Sequence, residues 1–218
     1  MKTVIGLAGV KTSGKSTIAE IIKSHIMAEE SALADNLKNA SAKAFNINRM
    51  FFDSQDFKEV PFWTGPKFFS KESIHSILSE FNIEITAIQL TAIYERLRYT
   101  TLESPRKIAQ IVGTELLREY GGIDIHCKSV KLFDTVTIIS DMRFPNEFDY
   151  FDRNDDIKFI PLYIQRDEAE QHVDMNKSHV SETSVFLFSD KCVRINNNGT
   201  LGDTEKQILE VLKNELGL

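Results

Sequence analysis

The stretch Thr3-Val4-Ile5-Gly6-Leu7-Ala8 runs straight into Gly9-Val10-Lys11-Thr12-Ser13-Gly14-Lys15-Ser16, and the residues beyond repeat an apolar face at Ile18, Ile21, Ile22, His25 and Ile26. The first segment is an apolar run of strand length, and the last has helical spacing. Between them stands G-x-x-x-x-G-K-[ST], the pattern of a phosphate-binding loop. The pattern alone is short enough to arise by chance. A buried strand before it and an amphipathic helix after it supply the context that its chemistry requires.

That chemistry follows from the residue types. Gly9 and Gly14 let the backbone turn tightly, so that several N–H groups point into one cavity. A helix starting near Gly14 adds the positive end of its dipole. Lys15 is a mobile cation for outer phosphates, and the Ser16 hydroxyl suits Mg²⁺. Lys11 is a second cation that the pattern does not demand. It reads either as a solvated loop residue or as a contact to a transferring or accepted phosphate.

At 218 residues the chain is long enough to bury a full core as one domain, with room for a small inserted lobe. Its 42% hydrophobic and 27% charged content is that of a soluble globular protein. A net charge of −6 argues against broad nucleic-acid binding, which needs a basic face. Cys127 and Cys192 form no metal-binding spacing and suit a reducing compartment. No signal peptide and no apolar run of membrane-spanning length are seen, so the expected location is cytoplasmic, with no membrane partner.

Further along, Ser31-Ala32-Leu33-Ala34 is a short strand candidate, and Asp35 is placed to cap a helix carrying Lys38. Asp35 and Lys38 read either as cap and surface residue or as ligand contacts beside a strand end. Residues 46–103 crowd Phe51, Phe52, Phe57, Phe62, Trp63, Phe68 and Phe69 around Pro61, Gly65 and Pro66. Helices are predicted at about Lys71–Phe81 and Thr86–Arg98. This segment is expected to form an inserted helical lobe facing a substrate, a second subunit or both. Ser104 then caps a strong helix with Pro105 in its first turn. On that helix Arg106, Gln110, Gly113 and Thr114 share a face, and Gly113 implies close packing there.

Thr135-Val136-Thr137-Ile138-Ile139-Ser140 reads as a central strand running into Asp141-Met142-Arg143. A carboxylate at such a strand end holds Mg²⁺ or its water, or else forms a turn. Arg143 is placed for a phosphate. Phe159–Ile164 is a further strand, which Pro161 places toward an edge or a bend. Residues 165–182 turn polar, as a lid over phosphates or a solvated loop. Cys192–Ile195 is a last strand, Asn196–Gly199 a turn, and Thr204-x-x-Gln207 a capping box opening the final helix. Strands alternating with helices give an α/β fold with a central parallel sheet covered on both faces.

Several of these segments together resemble the bacteriophage deoxynucleoside monophosphate kinases of the T-even type. The resemblance is carried by Gly9-Val10-Lys11-x-Ser13-Gly14-Lys15, Leu33-Ala34-x-x-x-Lys38, Pro105-Arg106-x-x-x-Gln110-x-x-Gly113-Thr114-Glu115, Asp141-x-Arg143-x-x-x-Glu147, His179-x-x-Glu182 and Ile195-Asn196-Asn197-x-Gly199-Thr200-Leu201. It covers the first third and the last half of the chain, and residues 46–103 add almost nothing. Ser16 departs from the Asp often found after the loop lysine, and His126 stands where many members carry an aromatic residue.

The resemblance implies a P-loop fold of the nucleoside monophosphate kinase type, three-layered, with residues 46–103 as substrate or dimer lobe and 165–182 as lid. It implies transfer of the γ-phosphate of ATP to a deoxynucleoside monophosphate, Mg²⁺ and a homodimer. The ATP set is then Gly9, Lys11, Thr12, Ser13, Gly14, Lys15, Ser16, Thr17 and Arg166. The acceptor set is Lys11, Asp35, Lys38, Arg106, Gln110, Thr114, His126, Asp141, Arg143, His179 and Glu182. Lys15, Arg106, Asp141 and Arg143 carry catalysis, and Ser16 with Asp141 the metal. Kinases of a nucleoside or of dephospho-coenzyme A, and a regulatory P-loop ATPase, are the rival readings.

Overall fold

The computed structural model describes residues 1–54, 56–174 and 180–217. Its chain divides into two compact units: Met1–Leu33 together with Val130–Leu218, and Ala34–Ser129. The second unit is therefore wider than residues 46–103, taking in the helices on either side of that segment.

In the first unit five strands make one sheet: β1 (Lys2–Ala8), β2 (Ala28–Ser31), β3 (Val136–Met142), β4 (Ile157–Gln165) and β5 (Val193–Asn196). All pairings are parallel, in the order β2-β3-β1-β4-β5. The α/β fold with a central parallel sheet is thus as the sequence implies. Strand alternation splits the apolar residues between the two faces. Ile5, Leu7, Ile138, Ile160, Leu162 and Ile195 meet Ile18, Ile22, Ile208 and Leu212 of the first helix (Lys15–His25) and the final one (Leu201–Leu216). On the other face Phe159 packs edge-on and tilted against Phe148 and Phe151 of the helix Pro145–Asp152, at 5.5 and 5.6 Å between ring centres.

Three local expectations are corrected. The second strand is Ala28–Ser31, not Ser31–Ala34. Its Glu29 and Glu30 are exposed at the sheet edge, so composition did not mark it as a strand. Pro161 lies on β4, which is flanked by β1 and β5 rather than being an edge strand. The pairing with β5 begins only at Leu162, one residue later, so on that side Pro161 faces no strand that would need its missing N–H. The final helix is capped by Thr200 with Asp203, four residues before the box read from sequence. Thr204 is instead fully buried.

The second unit is helical. Asp35–Phe45, Lys71–Glu80, Ala87–Leu97 and Pro105–Ile111 enclose a core that includes Leu37, Phe45, Phe69, Ile77, Leu97 and Ile108. Ser70, Thr86 and Ser104 cap three of these helices through their side chains. The cap of the Asp35 helix is Ala34, so Asp35 is a first-turn acid rather than the cap. An antiparallel bridge between Lys67 and Leu102 ties down the loop before Lys71. The aromatic residues divide: Phe52 and Phe69 are buried, while Trp63 is fully exposed. After Ile111 the helix widens into a π-helix, Val112–Arg118, and ends at Gly121. Among the described residues no helix is long and apolar enough to cross a membrane.

Candidate active site

β1 delivers its chain, fully buried at Val4, Ile5 and Leu7, into the glycine-rich loop. The loop turns through left-handed backbone at Gly9 (φ 149°), Thr12 (φ 66°) and Gly14 (φ 101°). A Cβ at Gly9 would stand 2.7 Å from Ser13 Oγ and 2.8 Å from the Ile164 carbonyl oxygen, and one at Gly14 would run into the Asn197 amide. Both glycines are therefore needed for space as well as for conformation. Gly14 is the N-cap of an eleven-residue helix with no acidic side chain in its first turn. The positive helix end is thus not neutralised locally, and Ser16 and Thr17 are exposed on that turn. This bare-backbone cradle at a helix start fits a polyphosphate.

Lys15 arches back over the loop. Its ammonium donates to the Gly9 and Val10 carbonyls, both at 2.7 Å. Burial lowers its pKa to about 8, Arg143 pushes in the same direction, and Asp141 opposes them. A cation held this way is poised for an anion, which would restore its ordinary affinity for the proton. Lys11 is exposed. Arg166, following β4, donates to the Thr12 carbonyl at 3.5 Å and pairs with Glu168 at 3.2 Å.

Asp141 is the next-to-last residue of β3, and its Oδ1 accepts the Leu33 N–H at 2.7 Å. Glu147, nearly buried, accepts the N–H groups of Arg143 (2.7 Å) and Phe144 (3.0 Å). That bond pair ties the first turn of the helix back to the residues before it and fixes the backbone from which Arg143 projects. The described residues hold no group of three His, Cys, Asp or Glu that could bind a metal alone. A hydroxyl and a carboxylate, Ser16 and Asp141, are hard oxygen donors of the kind that share Mg²⁺ with phosphate oxygens.

In the helical unit the sequence-predicted residues other than His126 fall into two groups. Asp35 accepts from Arg49 at 2.8 Å, and Lys38 pairs with Asp53 at 3.0 Å, while Arg49 also bonds Asp53. Sequence reasoning missed Arg49 and Asp53, since no spacing rule joins them to Asp35 and Lys38. Arg106 sits in the first turn after Ser104, its guanidinium 3.2 Å from Glu59 and its N–H on the Lys58 carbonyl at 2.8 Å. Gln110 and Thr114 follow on the same helix, the Thr114 hydroxyl donating to the Gln110 carbonyl at 2.7 Å.

Gly113 is buried, and a Cβ there would come within 3.2 Å of Leu37 and 3.7 Å of His126 Nε2. That is the close packing its helix position implied. His126 is 7% exposed, edge-on to Phe81. Burial lowers its pKa to about 4, with Arg118 adding and a hydrogen bond to the Gly113 backbone opposing. His179 lies outside the described residues, and Glu182 falls in the short helix Val180–Thr183.

No family model matches the chain. A protein of Acanthamoeba polyphaga mimivirus assigned as a deoxynucleotide monophosphate kinase is 25% identical over 230 aligned positions, covering 97% of this chain and 96% of that one. The deoxynucleoside-5'-monophosphate kinase of Escherichia phage T5 is 23% identical over 214 positions, covering 85% of this chain and 86% of its own length. The chain is a distant homologue of viral and phage deoxynucleotide monophosphate kinases. Its glycine-rich phosphate-binding loop stands at the head of a five-stranded parallel sheet, the P-loop arrangement. A dephospho-CoA kinase from Campylobacter jejuni aligns in structure at a TM-score of 0.40 and 16% identity, over 100% of this chain and 99% of that chain.

Proposed function

We propose that this P-loop kinase transfers the γ-phosphate of ATP to a deoxynucleoside monophosphate, giving the diphosphate and ADP. The observation that carries the reading is the half-buried ammonium of Lys15, held on the Gly9 and Val10 carbonyls of the glycine-rich loop and within the field of both Arg143 and Asp141. The substrate class is supported by the two relatives, which align over most of their length.

The acceptor phosphate has a second pKa of about 6 and is already an anion at neutral pH, so no general base is needed. Positioning is needed, with cations to offset the repulsion between two phosphate anions. In this reading Gly9, Lys11, Thr12, Ser13, Gly14, Lys15, Ser16 and Thr17 hold the ATP phosphates. Arg106, Gln110 and Thr114 serve the acceptor, and Arg143 and Arg166 add positive charge. Mg²⁺, held through Ser16 and Asp141, would neutralise charge on the donor phosphates. Residues 165–182, of which 175–179 lie outside the described residues, act as lid, and the active species is a homodimer.

The test is ADP release with Mg²⁺ and ATP against a panel of deoxynucleoside and ribonucleoside monophosphates, nucleosides and dephospho-coenzyme A. At least one deoxynucleoside monophosphate should raise ADP release well above the rate with water alone. Stimulation by none of them, or only by a nucleoside or dephospho-coenzyme A, would refute the assignment.

A further inference from the structure

The turn Asn196-Asn197-Asn198, between β5 and the final helix, is bonded to the phosphate loop rather than being a solvated connection. Asn197 Nδ2 donates to the Ser13 carbonyl at 2.8 Å, across 184 residues of sequence. The same nitrogen occupies the space a Cβ at Gly14 would need. Asn197 Oδ1 accepts the hydroxyl of Thr204 at 3.0 Å. Thr204 and Ser13 are both fully buried.

The turn itself is anchored independently. The Asn197 N–H donates to the Gln165 carbonyl at 2.8 Å, and Asn198 Oδ1 accepts the Asp167 N–H at 2.8 Å. Gln207 closes the other side, its Nε2 on the Asn196 carbonyl and its Oε1 on the Asn196 N–H, both at 2.9 Å. The Asn197 amide is therefore presented to the loop from a rigid mount.

We propose that Asn197 and Thr204 are positioning residues that set the phosphate loop in its anion-binding conformation. An amide has a donor end and an acceptor end of almost the same shape, so its orientation is decided by its partners. The Ser13 carbonyl can only accept and so takes Nδ2, which leaves Oδ1 to the Thr204 hydroxyl, a donor that also has the Thr200 carbonyl within reach at 3.3 Å. Holding that carbonyl away from the cavity keeps the neighbouring N–H groups turned inward, where Gly14 and the first helix receive an anion. Without the hydroxyl, Oδ1 loses its buried partner and the amide loses one of its two anchors, which loosens its hold on the Ser13 carbonyl. Neither residue touches the nucleotide in this account.

The inference rests on the loop being the ATP site, and the experiment separates the two ideas. ATP affinity is measured by titration calorimetry with Mg²⁺ and no acceptor, for the wild type, Asn197→Asp, Thr204→Val and Thr204→Ser, alongside each variant's melting temperature. A neutral hydrogen bond corresponds to about a three- to tenfold change in affinity. Thr204→Val should weaken ATP by about that factor, and Asn197→Asp by more, because a carboxylate faces the carbonyl. Thr204→Ser, which keeps the hydroxyl, should stay within about twofold of wild type on the same scale. Acceptor KM at saturating ATP should not move.

A purely structural role would lower melting temperature and leave the affinity of the folded protein unchanged. If the wild type binds ATP and Thr204→Val and Asn197→Asp bind it equally well, the positioning role is refuted while the donor site stands. A wild type that binds no ATP sinks both. Should Asn197→Asp fail to fold, Thr204→Val against Thr204→Ser decides the matter alone.

Discussion

Acid should destabilise this protein through one ring. His126 is 7% exposed, and among the described residues its Nδ1 has no hydrogen-bond partner. Its pKa falls from an ordinary 6.5 to about 4 because burial penalises the imidazolium, helped by Arg118. The folded state therefore keeps the ring neutral at a pH where the unfolded chain protonates it. Above pH 6.5 both states are neutral and the ring contributes no pH dependence. Between 6.5 and 4 the unfolded state binds more protons, so stability falls as pH falls.

A difference of 2.5 units corresponds to about 3 kcal/mol in full, of which about 2 kcal/mol is lost by pH 5. The measurement is urea unfolding of the wild type and His126→Phe at pH 7.5 and 5.0. Other groups titrate in both proteins, so the comparison isolates the ring. The wild type should lose about 2 kcal/mol more than the variant over this interval. Equal losses would mean that the ring is hydrated or charged in the folded state. The packing of Gly113 against His126 would then not be a dry contact.

Substitutions at two residues test the division of labour between them. Lys15→Ala should lower kcat by about a hundredfold or more, since the ammonium follows charge onto the outer phosphates, while melting within a few degrees of wild type. Near-normal turnover would show that the loop is not the donor site. Arg106→Ala should raise acceptor KM and cut kcat/KM by about ten- to a few hundredfold, with ATP affinity almost unchanged. Arg106→Lys should restore only part, because an ammonium cannot make the planar two-pronged contact. Collapse of ATP affinity with an unchanged acceptor KM would place Arg106 in the donor site instead.

The parts of the fold legible in sequence were those where local signals and tertiary packing agree. The apolar run before Gly9, the helical spacing after Gly14 and the Ser104-Pro105 start each mark an element that forms as read. The Thr204 box failed because two threonines four residues apart both satisfy the cap pattern. Burial, which sequence does not show, gives the cap to Thr200 and sends Thr204 to Asn197. The β2 strand failed for the opposite reason, its carboxylates hiding a backbone that the sheet recruits.

At the candidate site, Lys15, Asp141 and Arg143 were found by motif. The pairing of Asp35 and Lys38 with Arg49 and Asp53 was not, because helix packing rather than chain spacing creates it. The aromatic segment resisted reading because its rings serve both a core and a surface.

The sheet order has a consequence for association. An open parallel sheet leaves two edges with unpaired backbone groups, and such edges template strand addition from other molecules. Here both edge strands, β2 and β5, are only four residues long. Exposed Glu29 and Glu30 line one, and exposed Arg194, paired with Asp190, stands on the other. A strand laid along either edge would find little backbone to bond and a charge to desolvate. Short, charged edges of this kind disfavour edge-to-edge aggregation and the joining of two copies through an extended sheet.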